Sequence, residues 1–458
     1  VLLCPDWLVI AADRAPEAGW GVRVVDGTVD AVGPNEQLRA DHPDDEVLDA
    51  AGHVVLPGFV NGHVHLYGTL AHGIPPPPGG GPSDFWSFLD DYWWPLVEDA
   101  LDHDMIAAAT DYVCAEMVRS GTTTFYDILE APKALPGALA LQAEIVQRRG
   151  LRGLLSFEAT ERAGPAIARA ALAENAALID DAAAGRYGPL VGGLMCWHTT
   201  FTCSDDYITE AFALAAERGV MSHAHVNEGV HEGLRAEADR GTRTMEVYDR
   251  LGVAGPRFLA SQCVQLSDRE RQLLAERDVR VTHMPLANCE VGGGIAPIPE
   301  LADAGVTVGL GSDGYVNDLY EVMRGAFLLH KARLQDPGTM PAHRVLAMAT
   351  EDGARALGLE RVGRLEPGWS ADLQVVDAAF PTPLTAHNLA EQVVLWRNHG
   401  HVRDVMVAGR WRVRHHEVLD TDLDQLRART REQAHRLWAA GGSPEAMLRA
   451  LGHDPDVG

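Results

Sequence analysis

Lysine is nearly missing from this chain. Of 38 basic residues in 458, only Lys133 and Lys331 are lysine, and 65 acidic residues leave a formal charge of −27. A chain so short of positive charge has little with which to displace the counterions of nucleic acid or to settle on an anionic membrane, so neither is expected as a partner. Long hydrophobic runs are missing too: no stretch approaches the roughly 20 apolar residues that span a bilayer. The six cysteines (Cys4, Cys114, Cys196, Cys203, Cys263, Cys289) show no paired spacing, and no basic stretch ahead of an apolar run opens the chain. Reduced thiols and a cytoplasmic location are expected. What is present, 46% hydrophobic and 22% charged residues, suits a large core. Because single cores stop growing at about 250–300 residues, one large domain plus a smaller one is expected.

Residues 1–56 alternate short apolar runs with turns, and Asp26-Gly27 between β-branched runs signals a hairpin. From Leu56 to about Leu359 short apolar strands alternate with helical segments such as Ala107–Ser120 and Asp206–Arg218, the pattern of βα units around a parallel sheet. Strands are expected to end near His63, Asp127, Phe157, His198, His225, Gln262, His283 and Asp313. Eight such ends predict an α/β fold built on a (β/α)8 barrel, whose chemistry sits at the carboxyl ends of the strands. The strand pattern then resumes through Val413, and residues 422–440 place Leu423, Leu426, Ala434 and Leu437 at helical spacing among charges. That segment reads as an amphipathic helix whose arginines form a solvated face.

The chain is organised around Leu56 to Gly73, where Val54, Val55, Leu56, Phe59 and Val60 read as a buried strand and His63 and His65 follow on one face. Two imidazoles on one face can hold a divalent ion, and neutral imidazole suits zinc, iron or nickel. Scattering 20 histidines at random gives roughly one His-x-His by chance, and this chain has three, His63/His65, His223/His225 and His399/His401, so the flanks must decide. Here Pro57-Gly-Phe-Val-Asn-Gly-His63-Val-His65 resembles the first barrel strand of the amidohydrolase superfamily.

Three further segments carry the same resemblance. His223-Ala-His225-Val-Asn-Glu228 is similar to the His-x-His-x-x-Glu of the superfamily's deaminase branch, which implies that His225 is a metal ligand and Glu228 the acid-base carboxylate, with His223 in support. Gly309-Leu-Gly311-Ser312-Asp313-Gly314 resembles the eighth-strand motif, which implies that Asp313 ligates the metal and takes a proton from water. The same residues spell a Gly-x-Gly-x-x-Gly dinucleotide fingerprint, but no βαβ unit with its acidic residue accompanies it. Gly363 to Leu373 resembles the C-terminal signature, implying that residues 1–56 and 362–421 form one small β-sandwich beside a barrel at 57–361, with a helical segment at 422–458. With Trp93-Trp94-Pro95 and Gly121-Thr-Thr-Thr, the chain looks most like the SsnA-type aminohydrolases of the triazine hydrolase and nucleobase deaminase branch, except that His72 stands where those relatives usually have arginine.

Two further departures matter. The fourth strand, Val191 to His198, holds no lysine, so the carboxylated lysine that bridges two metals in binuclear relatives is excluded by residue type. At the sixth strand, where relatives read Ala-His-Cys-Val-His-Leu, this chain has Gln262 and Gln265 in place of both histidines. An amide donates and accepts hydrogen bonds but does not become a cation near neutral pH, so Gln262 is expected to orient substrate or water. The resemblance places His198 against the substrate, and it leaves His283, in His-x-Pro-x-x-Asn, to either substrate contact or loop organisation. Phe85 and Trp86, in a long Pro- and Gly-rich first βα loop, stack on a flat ring or pack the loop.

The expectation is a mononuclear metal-dependent aminohydrolase, a hydrolytic deaminase of a small nitrogen heterocycle, with one divalent ion held by His63, His65, His225 and Asp313. Zinc is expected first and Fe2+ second, metal-activated hydroxide is the nucleophile, and a homo-oligomer is expected. A cyclic-amide ring-opening hydrolase with the same metal site, a silent metal-binding homologue, and a nicotinamide oxidoreductase resting on the glycine fingerprint are the competing readings.

Overall fold

The computed structural model describes residues 1–74 and 82–440, so the proline run after Ile74 and the end of the C-terminal segment lie outside the described residues. Eight parallel strand positions follow one another in chain order: Phe59–Val64, Thr122–Leu129, Arg152–Phe157, a fourth in two pieces (Val191–Gly193 and Met195–Cys196), Ser222–Val226, Phe258–Gln262, Arg280–His283 and Val308–Leu310. They form a four-stranded and a five-stranded parallel sheet. The break in the fourth position falls at Leu194, whose N–H donates to Leu155 O (3.1 Å) while Met195 N–H already donates to Met221 O on the other side (3.1 Å). At the far edges, Val64 and Asp313 form a parallel bridge, and the Ser312 and Asp313 N–H groups both donate to His63 O at 3.0 Å.

Helices connect successive strands and are bounded by the signals their sequences carry. Asp102 caps His103–Arg119 by accepting from Met105 N–H, Ser204 caps Asp205–Arg218 by accepting from Tyr207 N–H, and Gly150 and Gly219 end their helices in the left-handed conformation. One apolar stripe of each helix packs on the strands, as Val113, Met117, Ile145, Val146 and Ile208 show.

Strands from both chain ends join in one sheet, where a sandwich of two was expected. Nine strands form one continuous sheet in which Val47–Pro57 pairs in parallel with Leu2–Leu8 and antiparallel with Leu373–Asp377. The sheet folds back on itself where Val29 exchanges backbone hydrogen bonds with residues 368 and 369 (both 2.8 Å), wrapping a core of Leu3, Leu8, Val22, Val55, Leu373 and Met406. A sandwich-like interior thus arises by curling, with no break into two layers. The expected hairpin at Asp26-Gly27 is present with φ of 48° and 84°, the doubly left-handed turn that matches strand twist. The helix Leu423–Ala440 lies on the helix that starts at His103: Leu437 is fully buried, Thr430 Oγ1 donates to Ala108 O (3.3 Å) and Trp438 Nε1 donates to Leu70 O (2.8 Å), behind the loop that leaves the first strand. Among the described residues no helix is long and apolar enough to cross a membrane.

Candidate active site

His63, His65 and His225 reach one point from the carboxyl ends of the first and fifth strands, with one nitrogen from each ring within 4.8 Å of the others. The two Nε2 atoms of His63 and His65 lie 3.3 Å apart. His65 Nδ1 sits 2.7 Å from Ile128 O, a carbonyl that can only accept, so Nδ1 carries the ring proton and Nε2 is left with its lone pair. Asp313 Oδ1 approaches His65 Nε2 to 3.4 Å. Three imidazoles and a carboxylate are the donor set of a divalent zinc-type site, and the residues fit the ion that the sequence implies. Burial, then the neighbouring rings of His225 and His65, holds His63 well below the usual histidine range. At His225 burial opposes protonation, but the Glu158 carboxylate, with Oε1 at 2.7 Å from Nδ1, raises the ring to about 9.

Asp313 is fixed from two sides. Gln262 Nε2 donates to Oδ2 at 2.7 Å, and the aspartate's own loop donates Gly314 N–H to Oδ1 at 2.9 Å. Gln262 Oε1 in turn accepts from Asn288 Nδ2, the last residue of the His-x-Pro-x-x-Asn segment. Asn61 completes the frame, donating from Nδ2 to Ser312 Oγ (2.7 Å) and accepting Ser312 N–H (3.0 Å) at Oδ1. Gln262 and Asp313 both have positive φ, 72° and 60°, a conformation that costs a non-glycine residue about 1–3 kcal/mol and that clusters at functional sites.

Above this point opens a cavity of about 570 Å³. His65, His225 and Asp313 form part of its floor, Glu228, His198 and Glu158 its near wall, and Trp93, Trp94, Phe88 and Tyr92 its apolar side. Burial, then the Asp313 charge, pushes Glu228 well above the usual carboxyl range, with His225 pulling the other way, so its side chain is poised to hold a proton. Burial lowers His198 to about 3, and its Nδ1 pairs with Thr202 Oγ1 at 2.8 Å. A neutral imidazole therefore faces the cavity.

Of the residues singled out from sequence, His63, His65, His225 and Asp313 come together, and Glu228, His198 and Phe85 line the cavity above them. Three are placed elsewhere. Gln262 is fully buried behind Asp313 and does not line the cavity, because the left-handed backbone at that residue turns its amide toward Asp313 and Asn288. His283 is also buried away from the cavity, its Nε2 3.1 Å from His330 Nε2. Trp86 stacks on His231 (ring centroids 4.1 Å apart, planes at 22°) and stands edge-on to Trp94 and Phe201, so it packs the loop. Sequence reasoning missed Glu98 and Glu158. Glu158 directly follows the expected third-strand end at Phe157, and a carboxylate just past a strand's carboxyl end was the signal that could have found it.

Parallel strands joined by helices, with imidazoles and carboxylates meeting at the strands' carboxyl ends, are the arrangement of a metal-dependent hydrolase built on an α/β framework. The chain belongs to the amidohydrolase family, which it matches over residues 54–412. It is 33% identical over 434 residues to a 5-methylthioadenosine/S-adenosylhomocysteine deaminase of Syntrophobacter fumaroxidans, covering 90% of this chain and 92% of the relative. It is 34% identical over 385 residues to a 5′-deoxyadenosine deaminase of Methanothermobacter thermautotrophicus, covering 82% and 85%. Among solved structures, an adenosine deaminase from Xanthomonas campestris with bound zinc superposes with a TM-score of 0.84 at 26% identity, covering 96% of this chain and 98% of that one. A zinc complex of an atrazine chlorohydrolase from Arthrobacter aurescens shares the fold at a TM-score of 0.81 and 21% identity, covering 94% and 99%. The chain is a hydrolase of carbon–nitrogen bonds other than peptide bonds, a metal-dependent deaminase of a nitrogen heterocycle.

Proposed function

We propose that the substrate is an adenosine derivative and that zinc is the metal, held by His63, His65, His225 and Asp313. The observation that carries this reading is the convergence of those four side chains beneath a cavity of about 570 Å³ with an aromatic side, within the 300–1,000 Å³ usual for small-ligand sites. The names of the similar deaminases supply the ring. The seam between His63 and Ser312-Asp313 supports a further reading, that the two parallel sheets close into one eight-stranded (β/α)8 barrel spanning 57–361.

A bound divalent ion supplies the Lewis acidity that makes water nucleophilic near neutral pH. Asp313, with Oδ2 held by Gln262, accepts the proton that water gives up as its oxygen bonds to the amino-bearing ring carbon. Glu228 delivers its proton to the adjacent ring nitrogen, so that charge does not build up on the ring. Asp313 then passes its proton to the departing amine, which leaves as ammonia, and Glu228 recovers a proton from the new hydroxyl as it becomes a carbonyl. His198 supports the ring from the wall as a neutral donor or acceptor, and Trp94, edge-on to it with centroids 6.0 Å apart, closes the apolar side.

The test is ammonia release from 5′-deoxyadenosine and 5-methylthioadenosine by the zinc-loaded protein. Glu228→Gln is expected to lower turnover by about 10²- to 10⁴-fold while zinc stays bound, because the carboxylate moves protons and is not a ligand. A ring-opened product in place of ammonia, or near wild-type turnover in the variant, contradicts the reading.

A further inference from the structure

Five carboxylates line the cavity, Glu98, Glu158, Glu228, Glu290 and Asp313, and among the described residues no arginine or lysine does. Two of the five are engaged in the proposed chemistry. Glu98 is engaged by the protein: Tyr67 Oη donates to one oxygen (2.9 Å) and Arg162 Nη2 to the other (3.1 Å). Arg162 spends its remaining donors on Glu130 (2.6 Å) and Asp99 (2.9 Å), with its guanidinium 5.0 Å above the Trp94 ring, so no permanent cation is left for Glu158. Glu158 is 2% exposed and pairs by charge with His225, whose Nδ1 is 2.7 Å from Oε1, yet that oxygen accepts no hydrogen bond, and His198 Nε2 is 3.8 Å away. Leaving a buried acceptor unsatisfied is costly, and a donor on the substrate relieves that cost.

We propose that the cavity selects among heterocycles by the charge of the group they carry beyond the reacting ring, taking neutral or cationic donor-bearing substituents and rejecting carboxylates, with Glu158 as the residue that reads that group. The inference rests on the deaminase reading and narrows its substrate class. A carboxylate entering here meets Glu158 and Glu290 with no guanidinium to offset them, Arg162 being held by Glu98, Glu130 and Asp99. An ammonium or a hydroxyl gives Glu158 the hydrogen bond it lacks.

Three ligands that differ only at one carbon make the test: 5′-deoxyadenosine, 5′-amino-5′-deoxyadenosine and adenosine-5′-carboxylate. With the zinc-loaded full chain, both kcat/KM for ammonia release and thermal stabilisation by each compound are measured. The carboxylate is expected to fall on the order of a hundredfold below 5′-deoxyadenosine in kcat/KM, and the amine to match or exceed it, since like charges juxtaposed in a site cost several kcal/mol. Glu158→Gln, with its zinc content measured alongside, is expected to shrink the gap to about tenfold or less. Equal acceptance of all three by the wild type, no stabilisation by any of them, or an unchanged gap in a zinc-replete Glu158→Gln overturns the proposal. A variant that has lost zinc reports on His225, and the wild-type order then decides. If no compound yields ammonia but the order of stabilisation holds, the deaminase reading fails and the charge selection stands.

Discussion

Gln262 shows how much depends on where one side chain points. As a glutamine in place of histidine it reads as a substrate contact, but its amide lies between Asn288 Nδ2 and Asp313 Oδ2 with no exposure to the cavity. It holds one oxygen of the aspartate that both ligates and accepts a proton in the proposed reaction. Its uncharged amide can do this at any pH near neutrality, whereas a histidine would couple the aspartate to its own titration. Gln262→Leu removes both hydrogen bonds at once and leaves the buried Asn288 amide and the half-buried Asp313 oxygen without that partner. The expected result is a loss of about 1–3 kcal/mol in stability and a fall in kcat larger than any change in KM, read from denaturation curves and steady-state kinetics. Unchanged kcat with a raised KM would restore the substrate-contact role. The four side chains that converge were legible in the sequence because strand alternation puts His63 and His65 on one face and the fifth- and eighth-strand motifs, by their resemblance to the amidohydrolase superfamily, point to His225 and Asp313. Gln262, His283 and Trp86 were not, because a positive φ, a partner 47 residues away and a stacking histidine in the first turn of the helix Val230–Arg240 set their directions.

At the scale of elements, the eight strand positions were legible from alternating apolar runs and helical segments, and each expected end lies within a few residues of the observed one. The split of the fourth strand at Leu194 was not, since an apolar run carries no record of which neighbour each residue hydrogen-bonds. The glycines of the eighth strand gain a physical meaning that the dinucleotide fingerprint had obscured. A Cβ on Gly311 would meet the Cβ and carbonyl oxygen of His63, each at 2.8 Å, and a Cβ on Gly68 would meet the Gly314 backbone at 2.8–3.3 Å. These residues are glycine so that the last strand and its loop can lie against the first. The next helix starts only at Leu319, after a loop, and no glycine-rich turn leads straight into a helix N-terminus as a dinucleotide site requires. Gly311→Ala is expected to push Ser312-Asp313 away from His63, destabilising the fold by about 1–3 kcal/mol as overpacking does. Because Asp313 moves with the strand, zinc affinity should fall in the same variant, measured by competition with a chelator. A destabilised variant with unaltered zinc affinity would show that the seam and the metal site are independent.

Over the whole molecule, the curled sheet holds the two chain ends together while the site is assembled from strands more than 200 residues apart, so local losses are carried by the entire fold. Asp127 is such a loss. It is fully buried, accepts Leu66 N–H at 2.8 Å and Gln142 Nε2 at 2.9 Å, and thereby pins the chain just after His65. Burial outweighs these two hydrogen bonds and raises its carboxyl from 3.8 to about 7. The folded state therefore binds this proton more tightly than the unfolded chain. The favourable contribution is fully present below the unfolded value near pH 4, and it is lost as pH rises through about 7. By pH 8 the ionised carboxylate lowers stability by up to about 4 kcal/mol relative to a group with no shift. Asp127→Asn keeps an oxygen for Leu66 N–H, and Gln142 Oε1, which has no partner, becomes available to accept from the new amide when the glutamine flips. The variant is expected to equal or exceed the wild type in stability at pH 8, to lose that advantage toward pH 4, and so to show a flatter pH dependence between those limits. Urea denaturation at pH 4.5, 6 and 8 with equal zinc loading measures this, and parallel wild-type and variant curves across that range would mean that Asp127 is ionised throughout.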